Sequence, residues 1–193
     1  KELGIADFER AAELMPKTTL EIEPDGIPNK LNKPLSSTQF NVWYHLGLAY
    51  FLKGEYAKAR IAYLKCLEVS VNHDLLVATV DWLYMTNLRL GDQNSAQKLL
   101  NSLPDSLIII ENDSYYKRLK MYSGKLLPDQ LLTLDTTRSD YSLLLATQGY
   151  GVANYYLHTG DTARATKLLN QVLSGENWSA FGYIAAEADK VSL

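Results

Sequence analysis

The sequence predicts an all-α protein made of antiparallel helix hairpins stacked one after another. Two observations carry that prediction. Residues 41–70 (NVWYHLGLAYFLKGEYAKARIAYLKCLEVS) read as two amphipathic helices folded back on each other around Gly54. The same turn then recurs: Gly54, Gly91, Gly124 and Gly160 lie 37, 33 and 36 residues apart, each flanked by helix-like sequence. Chance produces one such spacing easily and three in a row poorly.

In the first hairpin Trp43, Leu46, Gly47 and Tyr50 follow the i, i+3, i+4, i+7 pattern of one helical face, and Ala59, Tyr63, Cys66 and Leu67 form the facing stripe. Gly54 supplies the left-handed backbone that ends a helix at little steric cost. Gly47 and Ala59 are the small residues of the seam, so the helices approach closely while Trp43, Tyr50 and Tyr63 fill the space around the contact. This arrangement resembles the tetratricopeptide repeat (TPR), whose period is about 34 residues. The family's positions are met in order by Trp43, Leu46, Gly47, Tyr50, Ala59 and Tyr63; Cys66 stands where alanine is usual and Val71 where a proline often closes the repeat. The resemblance implies a right-handed α-solenoid of TPR-like helix hairpins over residues 1–193.

Taken in order, residues 1–15 read as the second helix of a repeat, with Phe8, Ala11 and Pro16 at family positions; an unrelated leading helix is the alternative. On the repeat reading this end exposes an apolar edge unless upstream residues or another chain cover it. Residues 17–37 break the pattern with Pro24, Pro28, Pro34 and the turn-forming Asp25-Gly26. A connection of that length is either functional, packing over a groove or partner, or a solvated insertion. Ser36 or Ser37 caps the hairpin at 38–71.

A second hairpin, at 74–104, starts with Asp74 or Asn72 as N-cap, turns at Gly91 and ends at Pro104. Leu83, Ala96 and Leu100 hold repeat positions, but Tyr84 replaces the small residue corresponding to Gly47, which predicts a splayed or register-shifted pair. The run at 107–110 reads as a buried connector or irregular helix end rather than a strand, since nothing nearby pairs with it. The third hairpin, at 112–136, is short and degenerate, turning at Gly124 with Pro128 opening a helix.

The fourth, at 139–174, turns at Gly160 with Ala153, Tyr156, Ala165 and Leu169 in place. Gly149 and Gly151 inside its first helix each cost about 1 kcal/mol against alanine, tolerable where they face a neighbouring backbone. Residues 177–191 repeat a first helix, with Trp178, Phe181, Gly182 and Ala185 spaced like the start of the first hairpin, and form a capping helix. Its order of repeats is also similar to bacterial envelope scaffold lipoproteins built from such hairpins.

Composition narrows the function classes. Charged residues at 21% and apolar residues at 47% suit a folded soluble chain, and a net charge of −3 leaves no basic footprint for nucleic acid. No apolar run approaches the ~18 residues of a membrane-spanning helix. The sequence opens at Lys1 in what reads as mid-repeat, so an upstream leader or lipid-attachment segment is compatible with it, and cytoplasm and periplasm both stay open. One cysteine makes no internal disulfide.

His45, His73 and His158 sit on separate repeats without metal-site spacing, and Cys66 occupies a small core position. Glu21 and Glu23 fall in the insert as solvated charges. Phosphate-loop, dinucleotide and nucleophile-elbow motifs are absent from the sequence. The expectation is therefore a non-enzyme with no metal or cofactor.

The resemblance implies a concave groove lined by the first helix of each hairpin. Carried over by position, its residues are Tyr44, Leu48, Asp81, Met85, Arg89, Tyr150, Asn154 and His158. This mixture suits an extended peptide or a partner helix, held by a few anchors. The family's carboxylate clamp for chaperone tails is not expected, since Tyr44 and Leu48 occupy two of its positions and only Asn154 fits. The predicted function is a protein-interaction scaffold. The alternatives are self-assembly, as a homodimer through the N-terminal edge, and a regulatory domain of a larger protein.

Overall fold

The computed structural model describes residues 2–24 and 29–192. Helices α1 (Glu2–Leu14), α2 (Thr38–Leu52), α3 (Tyr56–Glu68), α4 (His73–Arg89) and α5 (Gln93–Asn101) come first. Then follow α6 (Asp113–Tyr122), α7 (Pro128–Leu132), α8 (Tyr141–Leu144), a π-helical turn (Leu145–Gly149), α9 (Tyr150–His158), α10 (Thr162–Leu173) and α11 (Phe181–Ser192). The described residues are all-α, as TPR-like helix hairpins are. Packing groups the chain into two compact units, Lys1–Asp113 and Ser114–Leu193.

The four turn glycines carry one and the same hydrogen-bond motif. Glu55 N–H donates to the Tyr50 carbonyl and Gly54 N–H to that of Phe51, each at 2.9 Å; the pairs Asp92–Asn87 with Gly91–Leu88, Lys125–Lys120 with Gly124–Met121, and Asp161–Tyr156 with Gly160–Leu157 repeat it. Each glycine has φ between +72° and +82°, the left-handed geometry that closes a helix in this way. Two of the turns are followed at once by an aspartate cap: Asp92 accepts from Ser95 N–H and Asp161 from Arg164 N–H, both at 3.0 Å.

In the first unit, α1 to α5 pack each on the next. Ser37 caps α2 by accepting from Phe40 N–H at 3.2 Å. The α2–α3 seam is as close as the small residues predict: a Cβ at Gly47 would lie 2.7 Å from Tyr63 Cε1, and Ala59, Tyr63 and Cys66 are fully buried. The second hairpin is not slipped at its turn, contrary to expectation. Thirty-seven residues on, Tyr84 and Leu100 stand where Gly47 and Tyr63 stood. Ala96 stays buried and the turn bonds are unchanged.

The insert is anchored to the start of α2. An isolated antiparallel bridge joins Ile22 to Ser37. Gln39 Nε2 donates to the carbonyls of Pro16 and Thr19 at 2.9 Å each, while its Oε1 accepts from Glu21 N–H at 3.0 Å. Glu23, expected to be a solvated charge, instead accepts from Thr38 Oγ1 at 2.9 Å and from Asn41 Nδ2, because the bridge turns its side chain back onto α2. Asp25-Gly26 and Pro28 lie outside the described residues.

The start of α4 gathers the flanking loops. Asn72 caps the helix by accepting from Leu75 N–H and donates to the Leu35 carbonyl at the end of the insert. Asp74, buried in the first turn, accepts from the amides of Ile110, Glu111 and Asn112 at 2.8–3.1 Å, and His73 Nδ1 accepts from Ile108 N–H at 3.0 Å. The 107–110 segment is therefore held by its backbone and is no strand. It is not a buried connector either, since Ile108 is exposed.

In the second unit α8, the π-helical turn and α9 run on as one helix. Gly149 and Gly151 face side chains rather than a backbone: a Cβ at Gly149 would meet Val172 Cγ2 at 2.9 Å, and one at Gly151 would overlap Arg118. The close backbone approach is made by Gly182 of α11, where a Cβ would overlap the Ala146 carbonyl. Pro128 opens α7 as expected, and α7 packs against the π-helical turn. Trp178 lies outside the capping helix and is 74% exposed. Glu176 and Asn177 N–H both donate to Ser142 Oγ, which holds that stretch in a turn until α11 starts at Phe181.

Candidate functional site

The residues assigned to a groove divide by burial. In the first unit Tyr44 is buried, stacked on Phe40 at 5.2 Å and edge-on to Tyr63 at 6.2 Å. Leu48, Asp81 and Met85 are buried as well, in α2 and α4. Arg89, at the end of α4, is partly exposed with its guanidinium 5.8 Å from the Phe51 ring. In the second unit Tyr150 is buried, its hydroxyl donating to Asp189 at 3.0 Å, and Asn154 is buried too; His158 is exposed. Arg89 and His158 therefore have surface to offer, while the other six residues are packed inside as the chain stands. Helical spacing assigns a residue to the stripe beside a seam, but whether something covers that stripe is decided by packing outside the hairpin.

Two residues with reactive potential, His45 and Cys66, are occupied structurally. His45 Nδ1–H donates to the Asn41 carbonyl at 2.7 Å, and its ring stacks on Phe8 at 5.6 Å. Cys66 is fully buried, 3.3 Å from Thr79 Oγ1, and burial pushes its thiol up to about 12. Among the described residues no three His, Cys, Asp or Glu side chains are placed to hold a metal ion. No helix among them is long and apolar enough to cross a membrane.

A concave feature of the first unit was not picked out by spacing. It is a furrow of about 720 Å³ between α1 and α3, floored by Trp43, Leu46 and Tyr50 of α2. Tyr50 spans one end: its hydroxyl donates to Glu9, and Lys58 Nζ sits 5.2 Å over its ring. Burial and the Glu9 contact push the Tyr50 hydroxyl up to about 12. A smaller hollow of about 490 Å³ follows between α3 and α5. The signal for the furrow was Ile61, an exposed apolar residue of α3 outside its seam stripe, which the stripe assignment passes over.

Residues 40–73, the α2–α3 hairpin with its closing linker, match a family model described as tetratricopeptide repeat. Neither a curated protein nor a solved structure matches the chain. Repeats of this kind generally mediate contacts between proteins and are generally non-catalytic.

Proposed function

Residues 40–73 are a tetratricopeptide repeat, and on that premise we propose that the chain is a non-catalytic scaffold that binds a peptide or partner protein. The observation that supports this most is the intact α2–α3 hairpin, whose Gly47–Tyr63 seam gives a rigid presenting surface and spends no polar group on chemistry. In this reading Arg89 and His158 touch partner within their own units. Tyr44, Leu48, Asp81, Met85, Tyr150 and Asn154 hold the helices that present them.

Selection of a displayed peptide library on the immobilised full chain tests the proposal, with recovered peptides measured by titration calorimetry. Arg89→Ala or His158→Ala is expected to weaken capture at least about fivefold without moving the melting temperature, as partial anchors do. Failure to enrich any sequence over a helical control protein of the same net charge refutes the scaffold reading.

A further inference from the structure

We propose that the furrow between α1 and α3 docks an amphipathic helix of another protein, one whose apolar stripe is flanked by a basic edge and an acidic edge. The inference rests on reading the chain as a protein-interaction module, and adds to it a second face and a partner chemistry.

The shape selects a helix. Both walls are helices with their backbones satisfied internally, so the furrow offers no unpaired edge to an extended strand. From Lys58 to Val69 the α3 wall rises about 16 Å at ~1.5 Å per residue, room for three turns of a partner. Trp43 on the floor and Ile61 and Ala62 on the α3 side face Ala12 and Met15 across it. Ile61 is 62% exposed at the rim, a large apolar side chain left in water with a hollow beside it.

The charges select the partner's edges. Glu9 and Glu13, one helical turn apart, line the α1 wall, and Lys58 and Lys65, two turns apart, line the α3 wall. Tyr50 ties Glu9 and Lys58 to the same level. At the far end the signs exchange, with Lys17 beyond α1 and Glu68 at the end of α3. Over most of its length the furrow therefore has an acidic bank and a basic bank. A nucleic acid or an anionic membrane surface, carrying one sign throughout, meets a repelling bank. A helix with lysine or arginine on one edge and glutamate or aspartate on the other is complementary to both. The α3–α5 hollow lacks this property, since Arg60 and Lys98 make both its banks basic.

The bank charges already have local partners: Glu13 with Arg10, Lys58 with Glu55, and Lys65 with Glu68, at 2.7–3.0 Å. Side chains at such pairs are one-third to two-thirds exposed. Exposed pairs of this kind contribute little, so redirecting them to an incoming helix costs little.

Three synthetic sixteen-residue helices with the same leucine stripe test the proposal by titration calorimetry against the full chain at 0.1 M salt. One has a lysine edge and a glutamate edge, one has lysine on both edges, and one has glutamate on both. The mixed peptide is expected to bind at least tenfold tighter than either of the others. Lys58→Glu with Lys65→Glu, both exposed positions, makes both banks acidic and is expected to transfer the preference to the all-lysine peptide. Ile61→Asp is expected to abolish binding of all three with circular dichroism unchanged.

Equal binding of the three peptides, an unchanged order in the lysine variant, or indifference to Ile61→Asp overturns the proposal. So does a concentration-dependent dimer that Ile61→Asp dissolves, which gives the furrow to a second copy. Saturable uptake of a detergent monomer with no peptide binding gives it to small apolar molecules and overturns it too. Library peptides that bind wild type and Ile61→Asp equally remove the furrow and leave the scaffold reading intact; absence of any protein ligand removes both.

Discussion

Gly47→Ala puts one methyl group into the close seam between α2 and α3. The new Cβ would stand 2.7, 2.8 and 2.9 Å from three atoms of the Tyr63 ring, well inside the ~3.5–4.0 Å of a relaxed carbon contact. The ring has no room to swing, being fully buried and set edge-on to Tyr44. Overpacking of this kind costs about 1–3 kcal/mol. Alanine in place of a mid-helix glycine returns ~0.8–1 kcal/mol. The net expectation is a loss of up to about 2 kcal/mol, read as a lower urea midpoint at unchanged slope by far-ultraviolet circular dichroism. A double-mutant cycle isolates the contact. In a Tyr63→Leu background the obstructing ring is gone, and Gly47→Ala should be neutral or stabilising by up to ~1 kcal/mol, a coupling of about 1–3 kcal/mol. Stabilisation by Gly47→Ala in the wild-type chain, or a coupling near zero, would refute the close-packed seam.

Asp74→Ala removes the buried acceptor of the Ile110, Glu111 and Asn112 amides and should cost about 2–3 kcal/mol, with faster hydrogen exchange confined first to residues 108–112. Tyr150→Ala empties a fully buried aromatic site and should lower stability by about 3–5 kcal/mol; an unchanged melting temperature would return Tyr150 to an open groove. Asp92 and Asp161 are held below the usual carboxylate range chiefly by the backbone amides of Ser95 and Arg164. Their stabilisation is therefore complete above the unfolded value near ~3.9 and is lost as pH falls through the lower folded value. Asp92→Asn should flatten the acid limb of the stability curve below about pH 4, measured by urea titration at several pH values. Cys66 should resist a thiol reagent at pH 8 in the native chain and react fully in urea, since burial pushes its thiol up to about 12.

Local chemistry was legible in the sequence wherever a single residue type does the work. Gly54, Gly91, Gly124 and Gly160 turn the chain because little else adopts positive φ cheaply, and Ser37 and Asn72 cap because their short side chains reach back to the third amide. What depends on a neighbour distant in sequence was not legible. Asp74 reads as a helix cap and turns out to clasp a loop 36 residues away; Trp178 has the spacing of a packing residue but lies in a turn held by Ser142. The groove assignment failed to separate lining from core for the same reason: the period of a helix locates a face, and tertiary packing decides whether that face meets water. Tyr150 and Arg89 fall on the same assigned stripe of their helices by spacing, yet one is buried and the other partly exposed.

The protein's three tryptophans occupy three unlike surroundings: Trp82 fully buried, Trp43 half-covered on the furrow floor, and Trp178 in open solvent. Intrinsic emission can thus be assigned residue by residue without any attached dye. Trp178 is the second unit's own tryptophan, so Trp178→Phe leaves indole emission from the first unit alone. Trp43, meanwhile, should shift toward the blue as a docked helix displaces water from above its indole, giving the furrow an optical signal of its own occupancy.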